Sequence, residues 1–175
     1  TDLPRPHSPY GVTKLAAEHL CDTYAANFGV PTVMLRYFTV YGPRQRPDMG
    51  MHRLITAAIT GGSFPLFGDG SQVRSFTFVG DVARATRAAA VPSVPSGSVI
   101  NVAGSESITM VELIGLIGEL AGAPMHVERR PAQVGDVRRT GGRIERAREL
   151  LGWSPEIPLR DGLSQQIARL RAAAW

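Results

Sequence analysis

Two adjacent stretches constrain the fold of this chain more than any others. Across residues 11–28, Val12, Leu15, Ala16, His19, Leu20, Thr23 and Tyr24 recur near helical spacing, and Gly29 stands where a helix would end. Directly after it, Thr32-Val33-Met34-Leu35-Arg36-Tyr37-Phe38 is a compact β-branched and apolar run, the composition of a buried strand. A helix leading into a buried strand is half of an α/β unit, so α/β is the expected fold class.

The remainder continues in that style. Residues 1–9 read as an extended lead-in, and Gly42-Pro43 breaks the chain before a polar loop from Arg44 to Gly50. Met51–Gly61 reads as a helix. Gly68-Asp69-Gly70 marks a tight turn between short strands at 64–67 and 74–79. Asp81–Ala90 is expected to be a helix with Asp81 near its N-cap. Val99–Val102 reads as a strand, and Thr109-Met110-Val111-Glu112 has the capping-box form that opens a helix to about Ala121. A short strand at 125–128 and helices near 143–151 and 160–173 complete the pattern. Gly115-Leu116-Ile117-Gly118 imitates a dinucleotide fingerprint, but that motif works only at a strand-to-helix turn. Here it falls inside a helix and is read as helix packing.

Composition narrows the function classes. The 175 residues are 43% hydrophobic and 19% charged, the profile of a globular chain with one good core. There is no apolar run of membrane-spanning length and no signal-peptide pattern, so no membrane partner is expected. Cys21 is the single cysteine, which fits a reducing cytoplasm, and it is expected to be a small core residue. The four histidines lack metal-ligand spacing, and no metal site is expected. The net charge of +4 raises the question of an anionic partner. Arg129, Arg130, Arg138, Arg139, Arg143, Arg146 and Arg148 cluster near the C-terminus, but acidic residues dilute them and no aromatic residue interleaves them. Without a stripe or a stacking platform they argue against nucleic acid. A phosphate-bearing small molecule accounts for one or two of them, and the others are expected in solvent.

Only one of the 19 basic residues is lysine, and it is Lys14, four residues after Tyr10. Positions i and i+4 share a helix face, so the two side chains can point into one site. An ammonium beside a phenol favours the phenolate and lowers its pKa from about 10, which makes a tyrosine usable as a general base. Pro9 suits the helix start that such an arrangement needs.

Five motifs stand in order: Pro6-His7-Ser8-Pro9-Tyr10-Gly11-Val12-Thr13-Lys14-Leu15-Ala16-Ala17-Glu18; Leu35-Arg36-Tyr37-Phe38-Thr39-Val40-Tyr41-Gly42-Pro43; Phe67-Gly68-Asp69-Gly70; Arg74-Ser75-Phe76-Thr77-Phe78-Val79-Gly80-Asp81-Val82; and Gly135-Asp136-Val137-Arg138 before Leu150-Leu151-Gly152-Trp153. Together they resemble the C-terminal portion of extended short-chain dehydrogenase/reductases, the NAD-dependent nucleotide-sugar epimerases and dehydratases. The resemblance implies the C-terminal part of an extended Rossmann-type NAD(P)-binding fold plus a smaller α/β substrate-binding subdomain. Residues 1–48 would be the dinucleotide-binding remnant. Residues 49–175 would be mainly the nucleotide-sugar part, with returning segments near 76–102.

The resemblance also implies roles. Tyr10 matches the catalytic tyrosine, Lys14 the lysine that tunes it and holds the nicotinamide ribose, and Phe38 a position at the nicotinamide end of NAD. Arg74 and Arg138 match arginines on the nucleotide diphosphate, for which guanidinium forks are suited. Leu66, Phe67 and Gly68 match the segment beside the nucleobase. Thr39 followed by Arg46-Pro47-Asp48-Met49 looks most like UDP-glucuronate 4-epimerases, with Thr39 and Arg46 near the sugar carboxylate. The implied activity is C4 epimerisation of a UDP-sugar, UDP-glucuronate to UDP-galacturonate, through a 4-keto sugar. A 4,6-dehydratase or decarboxylase of the same family, or a non-catalytic UDP-sugar binder, is the alternative. Ser75 and Gly80 depart from the family's common aspartates. The family's glycine-rich motif lies upstream of the tyrosine, so this stretch is expected to lack most of the NAD pyrophosphate site and to be inactive alone. The resemblance places the strand at 31–38 in a sheet whose other strands are mostly missing here, so that open edge, or the helix at 11–28, is expected to make a homodimer or higher oligomer.

Overall fold

Ser8 and Pro9 start the first helix, α1 (Pro9–Phe28). The Ser8 hydroxyl accepts the Gly11 N–H at 3.1 Å, and Pro9 occupies the first turn, where its missing N–H costs nothing. Gly29 ends it in the left-handed conformation, φ 66°, donating its N–H to the Ala25 carbonyl. The computed structural model describes residues 4–91, 93–133 and 137–173. Along them follow β1 (Val33–Tyr37), β2 (Val40–Tyr41), α2 (Gly50–Thr60), β3 (Ser63–Phe67), β4 (Val73–Ser75), β5 (Thr77–Phe78), α3 (Val79–Ala89), β6 (Ser98–Val102) and β7 (Ser107–Thr109). The chain continues through α4 (Met110–Ala121), β8 (His126–Arg130), β9 (Arg139–Thr140), α5 (Glu145–Leu151) and α6 (Leu159–Ala173). The expected α/β class holds.

Strand β1 pairs with β6 in parallel, Val33 opposite Ser98 through Tyr37 opposite Val102. Its side chains alternate, as a strand's must. Val33 and Leu35 pack into a core with Val82, Ala85, Ile100, Val102 and Trp153, while Arg36 reaches α1 on the other face. A larger core gathers α2, α4 and α6 around Tyr41, Leu54, Ile55, Leu113, Ile117 and Leu163, each at most 1% exposed. The Thr109–Glu112 capping box is formed in both directions and opens α4 as expected. Gly118 lies inside that helix, where a β-carbon would come within 3.2 Å of the Ala123 carbonyl, so it serves packing. Gly115 has open space beside it and no such role.

Several expectations need correction. The strand expected at 74–79 is two strands in two sheets: β4 pairs with β7 and β9, while β5 pairs with β2. Ser75, Phe76, Thr77 and Phe78 are all buried, and the chain changes sheets between Ser75 and Thr77. Phe76 makes the switch. Gly104 permits it, since a β-carbon there would overlap the Phe76 carbonyl oxygen. Asp81 is no N-cap; Phe78 occupies that position. Asp81 is 1% exposed, and its carboxylate accepts from Arg84 at 2.6 Å and from the backbone N–H groups of Glu156 and Ile157 at 3.2 Å each. Its carbonyl accepts the Trp153 indole N–H at 2.9 Å. One residue thus docks the segment before α6 onto α3.

Cys21 is half-buried rather than part of the core, because α1 buries none of its residues. Gly11, Leu15, Glu18, Cys21 and Ala25 form its inner face, and Val12, Leu20, Tyr24 and Phe28 are 50–69% exposed. All seven C-terminal arginines are exposed, as their composition implied.

Candidate functional site

The stretch of α1 from Tyr10 to Cys21, the segment before it and the whole of β1 line an open cavity of about 910 Å³. Tyr10 and Lys14 enter it from one helical turn, and Phe38 closes its strand end. The Lys14 ammonium lies 5.4 Å from the centre of the Tyr10 ring, a cation–π distance. Tyr10 is 70% exposed, so its hydroxyl is open to a ligand. Phe38 is held by its backbone: its carbonyl accepts the Thr77 hydroxyl at 2.6 Å, and its N–H reaches the Val102 carbonyl at 3.0 Å. Thr77 also binds the Thr39 carbonyl through its own N–H at 3.1 Å, fixing both residues where β1 passes into β2.

Arg74 lies in β4, and Arg138 immediately precedes β9. β4 and β9 run parallel, with Val73 opposite Arg139 and Arg74 opposite Thr140, and the Val73 N–H donates to the Arg138 carbonyl at 2.9 Å. The turn after β3 lies close by. Ser71 donates two hydrogen bonds to the Asp69 carboxylate, at 2.9 and 2.7 Å, and these hold its pKa below the usual carboxylate value, with a smaller contribution from Arg138. Gly68 has φ 73° and donates to the Arg130 carbonyl, and Phe67 is half-buried. The Leu66 side chain is only 4% exposed and sits in the larger core, so this position can offer a ligand its backbone alone. The motif residues Gly135 and Asp136 lie outside the described residues.

Arg46 stands apart. Its guanidinium pairs with Asp48 at 3.2 Å in the loop before α2, both side chains are largely exposed, and it is not among the cavity walls. Thr39 is exposed at the rim of β1.

Two features of the site escaped sequence reasoning. Thr140 lines the cavity, and its buried Oγ1 has no hydrogen-bond partner. No pattern announced it, because β9 is only two residues long. The second is an ion pair. Arg36 Nε and Nη2 donate to Glu18 Oε1 and Oε2 at 2.7 and 2.6 Å, tying β1 to α1. Here a signal existed: an arginine inside a buried strand requires a partner. The bond from Arg36 holds the Glu18 carboxyl below its usual pKa against the opposing effect of burial, and raises the Arg36 guanidinium in turn. A depressed carboxyl stabilises the fold above its unfolded pKa, near 4.5, and that contribution is lost as pH falls through the lower folded value. Glu18→Gln is therefore expected to flatten the fall of Tm between about pH 5 and 3, read by thermal denaturation across that range.

The comparisons with known proteins follow this geometry. The model of the NAD dependent epimerase/dehydratase family matches residues 1–103. An uncharacterized UDP-glucose epimerase of Bacillus subtilis is 41% identical over 167 residues, covering 94% of this chain and 52% of its own length. The UDP-glucuronate 4-epimerase of Thermodesulfobacterium geofontis is 37% identical, covering 93% and 50%. The solved UDP-glucuronic acid 4-epimerase of Bacillus cereus, in complex with UDP-glucuronic acid and NAD, superposes with a TM-score of 0.93 at 42% identity, over 98% of this chain and 55% of that one. The chain spans about half the length of the curated relatives it matches. On this likeness of sequence and fold, the chain belongs to the NAD dependent epimerase/dehydratase family.

Proposed function

We propose that these residues are the catalytic-tyrosine and substrate-binding part of an NAD-dependent UDP-sugar 4-epimerase acting on UDP-glucuronate. The observation that carries this reading is the convergence of Tyr10, Lys14 and Phe38 on one cavity. The cavity fits the nicotinamide end of NAD, since the orphaned, buried Thr140 hydroxyl and the Lys14 ammonium offer polar contacts beside the apolar Phe38 wall. NAD held there would supply the hydride acceptor and donor for the sugar C4.

The chain's own residues do the rest. Tyr10 accepts the proton of the 4-hydroxyl at its phenolic oxygen and later gives it back. Lys14 holds the nicotinamide ribose, and its charge stabilises the negative charge that develops during proton transfer. Arg74 and Arg138, carried by and beside the β4–β9 pair, grip the diphosphate, and Phe67, Gly68 and the Leu66 backbone run along the uracil. Thr39 and Arg46 receive the sugar carboxylate, for which Arg46 exchanges its exposed Asp48 partner. Residues 1–48 form the dinucleotide-binding side and 49–175 mainly the sugar-nucleotide side. The exposed Val12, Leu20, Tyr24 and Phe28 support association of copies through α1.

Proton NMR of UDP-glucuronate incubated with the full-length protein and NAD tests the reading. UDP-galacturonate, recognised by the altered H4 couplings, is the expected product. A 4,6-dehydrated or decarboxylated sugar would contradict it in favour of the sister chemistries, and an unchanged substrate would favour a binding module.

A further inference from the structure

Tyr10, Lys14 and Glu18 stand at successive turns of α1. Helical side chains lean toward the helix N-terminus, so Glu18 leans back toward Lys14 just as Lys14 leans toward Tyr10. Lysine and glutamate at i,i+4 can form an ion pair, less strongly with the lysine first, as here, than with the glutamate first. Yet Lys14 lies over the Tyr10 ring, and Glu18 commits both carboxylate oxygens to Arg36 on the facing strand. Arg36 is the single charged residue of β1 and sits two positions before Phe38, on the face that looks at α1.

We propose that Arg36 is a positioning residue that occupies Glu18 and thereby prevents it from capturing Lys14, leaving the lysine to Tyr10. The proposal deepens the reading of Tyr10 and Lys14 given above and rests on it. A bidentate, charge-assisted pair at a largely covered carboxylate is stronger than a single exposed i,i+4 contact, so Glu18 stays with Arg36 while Arg36 is present. Without Arg36, Glu18 would be left partly buried and unpaired. Lys14 would be the flexible cation one turn away on its own helix. Arg5 is the other cation lining the cavity, and His19 is the neighbour that adds a lesser pull on Glu18. Tyr10, Cys21 and Tyr37 are the remaining titratable groups along the walls.

Because Lys14 is the only lysine in the chain, the competition can be read chemically. A water-soluble carbodiimide activates a carboxylate and joins it to an amine in contact, with net loss of water; a guanidinium gives no such amide. Peptide mapping by mass spectrometry is expected to find little Lys14–Glu18 amide in the unsubstituted chain. Arg36→Gln is expected to raise it several-fold, and the Glu18→Gln/Arg36→Gln double variant to abolish it. Arg36→Lys serves as a second variant that keeps the charge. It should give a Glu18 adduct to residue 36 and spare Lys14, even if Arg36→Gln fails to fold. An equal Lys14–Glu18 yield with and without Arg36 would overturn the proposal. So would its absence in a folded Arg36→Gln protein, or a dominant Lys14 adduct in Arg36→Lys. No step of this test uses NAD, substrate or turnover, so its failure is distinct from failure of the epimerase reading.

Discussion

Replacing Tyr10 with phenylalanine is expected to slow UDP-sugar turnover by roughly two to four orders of magnitude, the usual contribution of a positioned acid–base group. The KM for the sugar nucleotide should change little, because the lost interaction is made in the transition state rather than in the ground state. The variant removes one exposed hydroxyl from the cavity and no hydrogen bond that supports the fold, since the Tyr10 ring is 70% exposed. Steady-state kinetics with the full-length protein, alongside an unchanged thermal melt, would separate chemistry from folding. A loss of less than about tenfold would remove Tyr10 from the acid–base role. Lys14→Arg should also be impaired, because a bulky planar fork does not reproduce the compact point charge that the proposed role places beside the phenolic oxygen.

The second large effect concerns stability. Asp81→Ala is expected to cost about 3–5 kcal/mol, the usual penalty for breaking a buried ion pair from one side. The carboxylate is 2% exposed and holds Arg84 together with two backbone N–H groups from residues 156 and 157. Arg84 would keep Glu156 and the Ser154 carbonyl, but the two amides would lose their acceptor. Set against a typical total of about 5–15 kcal/mol, the loss removes a large share of stability. Urea denaturation reads it directly. A change under about 1 kcal/mol would show that the docking of 153–157 onto α3 is held by packing of Trp153 rather than by Asp81.

These residues show which parts of the structure were legible in the sequence. Pro9 and Gly29 marked the ends of α1, and Thr109 and Glu112 the start of α4, because caps are local chemistry written within a few positions, although the Ser8 cap itself went unread. Arg74 and Arg138 could not be joined by pattern. Their backbones are brought near each other by β4 and a two-residue β9, too short to carry any periodicity, and only the family resemblance pointed to both. Asp81 looked like a cap because its position near a helix start fits one. Besides Arg84, its partners lie 75 and 76 residues away, and nothing local encodes those. The apolar spacing of α1 located a helix but not its buried face. Val12, Leu20 and Tyr24 point outward, and the inner face carries Lys14's neighbour Glu18, paired across to β1. Arg46 is the residue whose proposed role draws least from the geometry, since it lies in an exposed pair with Asp48.

Arg74 of β4 and Arg138, next to β9, carry the proposed diphosphate contacts within this chain. Isothermal titration of the chain with UDP-glucuronate should give saturable one-to-one binding. Arg138→Gln should weaken that binding by about ten- to a hundredfold, the worth of one charge-assisted contact to phosphate. UDP alone should retain most of the affinity, and inorganic phosphate should not compete at similar concentration. Absence of binding at millimolar UDP-glucuronate, or equal affinity in Arg138→Gln, would contradict the account.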